Sequence, residues 1–342
     1  MDRQIPVNAF TDLAKVTGST VRGPMRMATA FFLLVLALII APGLPAAEPG
    51  RPGGRRGPGR DAISIIRDLP YAGSENPRQR LDLFLPRQPA VAGKLPLVVF
   101  IHGGGWQKGD RRSGLGRLAP LVASGRYAGA SIGYRLTDEA RWPAQIHDCK
   151  AAIRWLRGNA DRHGLDADRI AVVGTSAGGH LAAMLGTSGE VTEFEGDLGG
   201  FSACSSRVQC VVDFFGPSDL TAMGGWHDGP DSPEARLLGG PVGDNKESAR
   251  DASPIQYVSS DDPPFLIIHG TADRIVPFDQ SVTLQRKLAA VGASALLIPI
   301  AGGGHGRFRQ PELSQRIAAF LENKLSGGDL AISTDPIPAT PR

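Results

Sequence analysis

The 342-residue chain is poor in cysteine, and its three cysteines do not follow a metal-binding spacing. Cys149 stands alone, whereas Cys204 and Cys210 are close enough in sequence to form a local disulfide or to remain as free thiols. Zinc, nucleotide-binding and flavin-binding motifs are also missing. We therefore expect a protein that works without a metal ion or a cofactor.

Long hydrophobic runs are absent except near the N-terminus. Residues 30–41 read AFFLLVLALIIA, after two arginines and before a segment of small residues. Twelve residues are too few to span a bilayer comfortably, but the pattern is typical of a signal peptide. We predict that residues 1–47 are a signal peptide, which implies export to the periplasm or the medium and no transmembrane domain after cleavage. An uncleaved membrane anchor is the alternative, because the region before the apolar run is unusually long.

The body of the chain has no excess of either charge. Of its 37 basic and 34 acidic residues, the first 60 positions hold eight and three, which leaves 29 and 31 elsewhere. This balance gives no reason to expect a nucleic-acid partner. We interpret the Gly/Pro/Arg-rich residues 48–60 as a linker, residues 61–327 as a folded domain and residues 328–342 as a flexible tail.

Short uncharged runs alternate with helical patterns along this domain. The runs Leu97–Ile101 and Ile170–Val173 are rich in β-branched residues, which is typical of strands buried on both faces. This alternation predicts an α/β fold with a mostly parallel central sheet and helices on both faces. Helices are predicted over residues 144–163, 177–187, 278–291 and 311–325.

A Gly-x-Ser-x-Gly pentapeptide, residues 174–178, directly follows the second of these runs. A serine in this position occupies a tight turn between a strand and a helix, where flanking glycines let the backbone approach itself closely. The hydroxyl then projects from the edge of the sheet. Ser176 is therefore the candidate nucleophile.

The segment His102-Gly103-Gly104-Gly105 follows the first run. Consecutive glycines leave backbone N–H groups free of neighbouring side chains, which suits the negative oxygen of an acyl-transfer intermediate. Gly104, Gly105 and Ala177 are the expected oxyanion donors. We expect His102 to hold this loop by hydrogen bonds.

A serine nucleophile needs a histidine base and an acid that orients it, in the chain order serine, acid, histidine. Asp273 follows the predicted strand 265–268, and His305 lies in a glycine loop after the predicted strand 295–300. Asp219 follows another strand and is the rival acid. We favour Asp273 because its loop leads into the helix and strand that end at His305.

The remaining candidates are weaker. We interpret four histidines as surface or packing residues, and His227 as a residue of an inserted loop that could line a substrate cleft. Trp106, Tyr134 and Trp226 are the candidate pocket residues. The histidines interpreted as packing are His147, His163, His180 and His269.

The segments HGGGW, GTSAGG, HGTADRIVP and GGGH together resemble the α/β-hydrolase superfamily. The resemblance is to its esterases and lipases, related to hormone-sensitive lipase and to feruloyl or acetylxylan esterases of the bimodular feruloyl esterase type, and it covers residues 61–324. It implies a catalytic triad of Ser176, Asp273 and His305, with the oxyanion donors named above. Unlike the relatives that act on lipids, this chain shows no long helical cap.

The resemblance implies an ester hydrolase that forms an acyl-enzyme and needs no cofactor. Its expected substrates are small-molecule or carbohydrate esters with short-chain, acetyl or feruloyl groups. An arylformamidase or a peptidase of the same fold is an alternative activity. A binding module of hydrolase ancestry without activity is the alternative of another class, and the oligomeric state is not predicted.

Overall fold

A mixed sheet of nine strands forms the centre of the described part of the chain. The computed structural model describes residues 60–306 and 308–340, so the predicted signal peptide and nearly all of the predicted linker lie outside the described residues. The strand order is β1-β2-β4-β3-β5-β6-β7-β8-β9. In chain order the strands are β1 (Ile63–Pro70), β2 (Arg80–Pro86), β3 (Leu95–Ile101), β4 (Ala128–Ile132), β5 (Leu165–Thr175), β6 (Cys210–Phe214), β7 (Phe265–Gly270), β8 (Ala295–Ala301) and β9 (Ile337–Pro338).

Two antiparallel contacts, β1 with β2 and β2 with β4, lie at one end of the sheet, and the other neighbouring strands are parallel. The predicted α/β class with a mostly parallel sheet is therefore confirmed. Parallel strands bring their carboxyl ends to one edge, where α/β proteins place their ligand sites. The helices are α1 (Leu115–Ala123), α2 (Ala144–Gly158), α3 (Ala160–His163), α4 (Ala177–Thr187), α5 (Pro233–Leu238), α6 (Lys246–Asp251), α7 (Asp279–Ala290) and α8 (Pro311–Leu325).

The central strand β3 is buried along its whole length because helices cover both faces of the sheet. Successive side chains of a strand point to opposite faces. Leu97 and Val99 accordingly belong to the core that also contains residues of α2, α4 and α7, whereas Val98 and Phe100 belong to the core that contains residues of α1 and α8. This burial explains why the sequence of β3 is uniformly apolar and does not alternate with polar residues.

Three predictions about the helices match the structure within one residue, and one differs. Helices α4, α7 and α8 lie where the sequence predicts them. The predicted helix over 144–163 is divided between α2 and α3 at Asn159. Gly158, the last residue of α2, packs so tightly against the ring of Phe201 that a side chain there would collide with it.

The prediction of a flexible tail after residue 327 is wrong for the described residues. Strand β9 pairs with the end of β8, and Ile337 is buried in the core formed with α1 and α8. The side chain of Arg316 donates a hydrogen bond of 2.7 Å to the carbonyl of Asp335. Ile332 and Ala339 also pack against this core, and the Asn323 side chain accepts from the N–H of Leu330 at 2.8 Å. The tail is therefore held by scattered contacts that form no periodic pattern in the sequence.

Cys204 and Cys210, for which the sequence left a disulfide open, are free thiols, as is Cys149. Cys210 begins β6 and is completely buried in the core next to α1 and α8. Cys204 lies half-buried in the loop before this strand, where its N–H bonds to the carbonyl of Phe201. The core packing of Cys210 and the turn at Cys204 hold the two residues in different environments.

The segment between β6 and β7 is the largest insertion over the carboxyl edge of the sheet. It contains only α5, α6 and single turns of 3-10 helix, in agreement with the expected lack of a long helical cap. In the described residues no helix has the length and apolar character needed to cross a membrane.

Candidate active site

Ser176 lies in a strained turn between β5 and α4. Its φ of 56° and ψ of −123° place a non-glycine residue in a backbone region that costs energy, and such strain is found at functional sites. The turn also requires glycine two residues before and two residues after the serine. A side chain on Gly174 would collide with the backbone of Gly178, and one on Gly178 would collide with the backbone of Ile101.

Ser176, His305 and Asp273 form one hydrogen-bonded chain. The Oγ atom of Ser176 lies 3.0 Å from Nε2 of His305, and Nδ1 of His305 lies 2.7 Å from Oδ2 of Asp273. For the serine hydroxyl to donate to Nε2, the neutral imidazole must carry its proton on Nδ1, where the carboxylate accepts it. The ring of Phe215 packs 4.5 Å from that of His305 and limits its rotation.

The carboxylate of Asp273 is buried, and four groups surround its two oxygens. Oδ1 accepts from the backbone N–H groups of Ile275 and Val276, at 2.8 and 3.0 Å. Oδ2 accepts from His305 and lies 3.2 Å from Nε2 of His269. Burial by itself would raise the pKa of Asp273, but the contacts with the two histidines and the Ile275 N–H outweigh it and hold the pKa well below its usual range.

The sequence interpretation of His269 as a packing residue missed its contact with Asp273. His269 is the penultimate residue of β7 and is completely buried. Its Nδ1 lies 2.7 Å from the hydroxyl of Ser281, and its Nε2 also lies 3.1 Å from the carbonyl of Val276. The spacing offered a signal, because His269 lies four residues before Asp273, close to the end of the strand that leads into the loop of the acid.

Asp219, the alternative candidate for the acid, has a different structural role. Asp219 caps a short 3-10 helix, where its side chain accepts from the N–H and the hydroxyl of Thr221, at 2.9 and 2.6 Å. The structure therefore pairs His305 with Asp273 and not with Asp219.

The glycine loop after β3 lies beside the serine and lines the same cavity. Gly104 and Gly105 have positive φ angles of 125° and 60°, which favour glycine. A side chain on Gly104 would collide with the carbonyl of Lys108. Ala177 is the first residue of α4, so its N–H has no partner within the helix and lies at the positive end of the helix dipole. The three predicted donors thus border one space.

Two of the predicted pocket residues, Tyr134 and Trp106, stabilise the glycine loop. The hydroxyl of Tyr134 donates to the carbonyl of His102 at 2.9 Å, and the two rings stack 4.3 Å apart. Tyr134 is buried and does not line the cavity with Ser176, so its assignment to the pocket is wrong. His102 bonds through Nδ1 to the carbonyl of Gly103, and burial lowers the pKa of this imidazole. His102 has the position expected of a residue that holds the loop.

Trp106 borders the cavity but is almost fully buried. Its indole N–H donates to Nδ1 of His180 at 3.2 Å, while Nε2 of His180 donates to the carbonyl of Ala252 at 2.6 Å. Burial lowers the pKa of His180 to about 4, so the ring is neutral and accepts the indole proton. The glycine loop is therefore fixed to α4 through Trp106.

The third predicted pocket residue, Trp226, lies at the mouth of the cavity and is 52% exposed. Its ring lies over that of His227, with centroids 3.8 Å apart. Both His227 and Glu234 are buried in the cavity wall, and Nδ1 of His227 lies 3.0 Å from a carboxylate oxygen of Glu234. Burial lowers the pKa of His227, but the neighbouring Glu234 carboxylate outweighs it and raises the pKa overall. No sequence pattern pointed to Glu234.

The cavity at Ser176 has a volume of about 610 Å³, within the range of small-molecule sites. Its arrangement provides a nucleophilic hydroxyl, a base oriented by a carboxylate, and backbone N–H groups for a developing negative oxygen. Within residues 60–306 and 308–340, no group of three or more His, Cys, Asp or Glu side chains could hold a metal ion. These are the parts required for acyl transfer through a serine.

Comparison with known proteins gives a consistent result. The model of the BD-FAE family matches residues 81–288, which is more than half of the chain. Esterase LipC of Mycobacterium tuberculosis is 36% identical over 246 residues, which cover 68% of this chain and 58% of LipC. The chain thus spans less than two thirds of the length of this curated relative.

Two solved structures share the fold of this chain. A truncated carbohydrate esterase from gut microbiota is 34% identical, with a TM-score of 0.72 over 79% of this chain and 100% of that chain. A bifunctional GH43-CE protein of Bacteroides eggerthii is also 34% identical, with a TM-score of 0.71 over 76% of this chain and 38% of its own.

Proposed function

This chain belongs to the BD-FAE family of α/β-hydrolases, and we propose that it is a serine carboxylic-ester hydrolase that acts through an acyl-enzyme. The observation that carries the proposal is the hydrogen-bonded chain from Ser176 through His305 to Asp273, in one cavity with the glycine loop. LipC, which is named an esterase, supports the same activity.

The first half of the reaction forms the acyl-enzyme. His305 Nε2 takes the proton of Ser176 as the Oγ atom attacks the ester carbonyl, and Asp273 stabilises the imidazolium that results. The N–H groups of Gly104, Gly105 and Ala177 stabilise the negative oxygen of the tetrahedral intermediate. His305 then gives its proton to the leaving alcohol, and the acyl group stays on Ser176.

The second half repeats these steps with water. His305 takes a proton from a water molecule, which attacks the acyl carbonyl, and the second tetrahedral intermediate uses the same backbone donors. Its collapse returns the proton from His305 to the Oγ atom of Ser176 and releases the carboxylic acid. No metal or cofactor takes part in this sequence of steps.

The proposed substrates are short-chain or carbohydrate-linked acyl esters, such as acetyl or feruloyl esters of sugars. Support comes from a structural neighbour that is named a carbohydrate esterase. The absence of a long helical cap between β6 and β7 also leaves little cover for a long acyl chain. Export is part of the proposal, since residues 1–47 have the composition of a signal peptide.

The activity is tested with p-nitrophenyl esters from acetate to palmitate. We expect the highest kcat/KM at acetate or butyrate and a loss of about 10⁴-fold or more in Ser176→Ala. Ser202→Ala, at an exposed position away from the cavity, is the matched control and should retain full activity. Activity that survives in Ser176→Ala would contradict the proposal, and activity only on amides would favour the arylformamidase or peptidase alternative.

A further inference from the structure

A short turn after β6 contacts both Ser176 and His305. The N–H of Ser176 donates a hydrogen bond of 2.9 Å to the carbonyl of Phe214, the last residue of β6. The next residue, Phe215, places its ring 4.5 Å from the ring of His305. The turn therefore links the backbone of the nucleophile to the side chain of the base, and a shift of the turn would change their relative position.

The backbone of this turn is strained at Phe215. Its φ of 46° lies in the left-handed region that non-glycine residues rarely adopt. Such a conformation costs free energy and persists only where the surrounding contacts impose it. The N–H of Phe215 donates to the carbonyl of Ile268 in β7 at 2.9 Å, which holds the turn at one point. A second contact holds the residue that follows Phe215.

The side chain of Asp213 supplies this second contact. Asp213 lies in β6 and is 1% exposed, and its Oδ1 accepts a hydrogen bond of 2.9 Å from the N–H of Gly216. The carboxyl group thereby closes the turn from residue 213 to residue 216 around Phe215. Because Gly216 is buried and an unpaired buried N–H costs free energy, the turn depends on an acceptor at position 213.

The same carboxyl group packs against the first turn of α4. Asp213 pairs with Gly174 across the two neighbouring strands, two positions before the nucleophile. A side chain on Gly179 would collide with Oδ1 of Asp213, and one on Gly216 would collide with the backbone of Gly179. Little free space therefore separates the turn from the helix that begins directly after Ser176.

The second oxygen of Asp213 makes this residue unfavourable for stability. Oδ2 is buried, and among the residues that the structure describes it has no hydrogen-bond partner. Burying a carboxyl oxygen without a partner costs free energy, and burial raises the pKa of Asp213 to about 7. An apolar side chain would avoid this cost, as Val211 does on the same face of β6. The cost is explained if the Oδ1 acceptor is needed for the geometry of the site.

We propose that Asp213 is a positioning residue for the reaction at Ser176. By closing the turn of residues 213–216, its Oδ1 atom fixes the backbone that binds the Ser176 N–H and the ring that packs on His305. Asp213 does not line the cavity of Ser176, so it acts through the turn and not on the substrate. This inference rests on the proposed ester hydrolysis and adds an acceptor at position 213 to its requirements.

Steady-state kinetics with p-nitrophenyl acetate compares variants that keep or remove this acceptor. We expect Asp213→Val, which fills the space without an acceptor, to lower kcat about 10- to 50-fold with KM nearly unchanged, because a small displacement misaligns the serine and the base. Asp213→Asn keeps an amide oxygen in place of Oδ1 and should retain most of the wild-type kcat. Asp213→Ala should lower kcat as Asp213→Val does, and it gives the same comparison if the valine variant does not fold.

Cys210→Ala is the matched control, because Cys210 is buried at the other end of β6 and does not line the cavity. It should lower the melting temperature and leave kcat unchanged, which separates positioning from general destabilisation of the strand. Full kcat in Asp213→Val would overturn the proposal. Equal losses of kcat in Asp213→Val and Asp213→Asn would also overturn it, because the amide oxygen would then not replace the carboxylate oxygen as an acceptor.

Labelling with diisopropyl fluorophosphate separates this inference from the proposed activity. The reagent phosphorylates a serine that a neighbouring base activates and releases fluoride, so the measurement needs no ester substrate. Followed by mass spectrometry of the intact protein, labelling of Ser176 should be about 10- to 50-fold slower in Asp213→Val and nearly unchanged in Asp213→Asn. This pattern would support the role of Asp213 even if the wild type hydrolysed no ester. Equal labelling rates in all three proteins would overturn it while the hydrolase proposal stands.

Discussion

The centre of the site and its mouth are built in different ways. At the centre, backbone conformation positions the reacting groups, with Ser176 at a φ of 56° and Gly104 at a φ of 125°. At the mouth, side chains from separate segments meet, as when His227 joins Glu234 to the carbonyl of Ile275. The centre is therefore specified by short contiguous motifs, whereas the mouth is specified by packing between distant parts of the chain.

This difference indicates which property each region controls. A backbone-built centre holds the reacting groups in one geometry, so changes there should reduce kcat for every ester. A mouth assembled from side chains can vary without disturbing that geometry, so changes there should alter the choice of substrate. The following variants test this division.

Among variants that leave Ser176, His305 and Asp273 in place, the largest effect is expected from Gly104→Ala. The new side chain would collide with the carbonyl of Lys108 and would strain a φ of 125°, so the loop must move its N–H groups. We expect kcat to fall about 10²- to 10³-fold, as when one oxyanion donor is lost. Steady-state kinetics with p-nitrophenyl acetate measures this. Gly116→Ala in α1, which has open space around it, should have no effect, and equal activity of the two variants would contradict the assignment.

A smaller effect is expected from His269→Gln, which tests whether the second histidine supports Asp273. Loss of the imidazole next to Oδ2 should let the pKa of Asp273 rise toward its ordinary value. We expect kcat to fall about tenfold with KM nearly unchanged, since kcat reflects the oriented base. The acid limb of the pH profile should move to higher pH, because a more basic carboxylate holds the proton on its partner more tightly.

The control for that variant is His147→Gln, at a histidine that bonds to the carbonyl of Glu193 outside the site. It should leave both kcat and the pH profile unchanged. If His269→Gln lowered only the melting temperature, with an unmoved acid limb, His269 would be a packing residue, as the sequence interpretation held.

A moderate effect on stability is expected at the mouth from Glu234→Gln. The raised pKa of His227 means that its charged form is stabilised in the folded protein, so the contribution is fully present below the unfolded pKa of about 6.5 and is lost as pH rises through the folded value. We expect a melting temperature about 2–4 °C below wild type at pH 6 and a smaller difference at pH 9. Thermal unfolding at both pH values measures this difference. A larger difference at pH 9 would show that Glu234 does not stabilise the charged form of His227.

The smallest effect is expected beneath the centre from Asp213→Asn. Burial raises the pKa of Asp213 to about 7, and its Oδ1 accepts from the N–H of Gly216 at 2.9 Å. Because the folded pKa is raised, the protein loses stability as pH rises through about 7. The asparagine should therefore raise the melting temperature by about 1–2 °C at pH 8 and change it little at pH 5. A lower melting temperature at pH 8 would indicate that the carboxylate has a favourable partner.

The sequence predicted the strand and helix pattern well because burial on both faces leaves continuous apolar runs, as in β3. It also predicted the positions of Ser176, Asp273 and His305, since each follows the end of a parallel strand and the structure places them in one chain of contacts. Tyr134 was misassigned because an aromatic residue near the glycine loop can face either the cavity or the core, and only the fold decides.

Other features could not be predicted because they depend on contacts between distant segments. The anchoring of Trp226 requires Glu234 on α5 and the carbonyl of Ile275, which lies 48 positions beyond His227 in the chain. Strand β9 is only two residues long and depends on one buried side chain, Ile337. Interactions of this kind leave no periodic pattern in the sequence.

The role of Ser176 as the nucleophile can be tested by trapping the acyl-enzyme. The protein is mixed with p-nitrophenyl acetate, quenched in acid during the first turnover and analysed by peptide mass spectrometry. We expect one added acetyl group, located on Ser176, with no such label in His305→Ala on the same time scale. An acetyl group on another residue, or rapid hydrolysis with no label on Ser176, would contradict it.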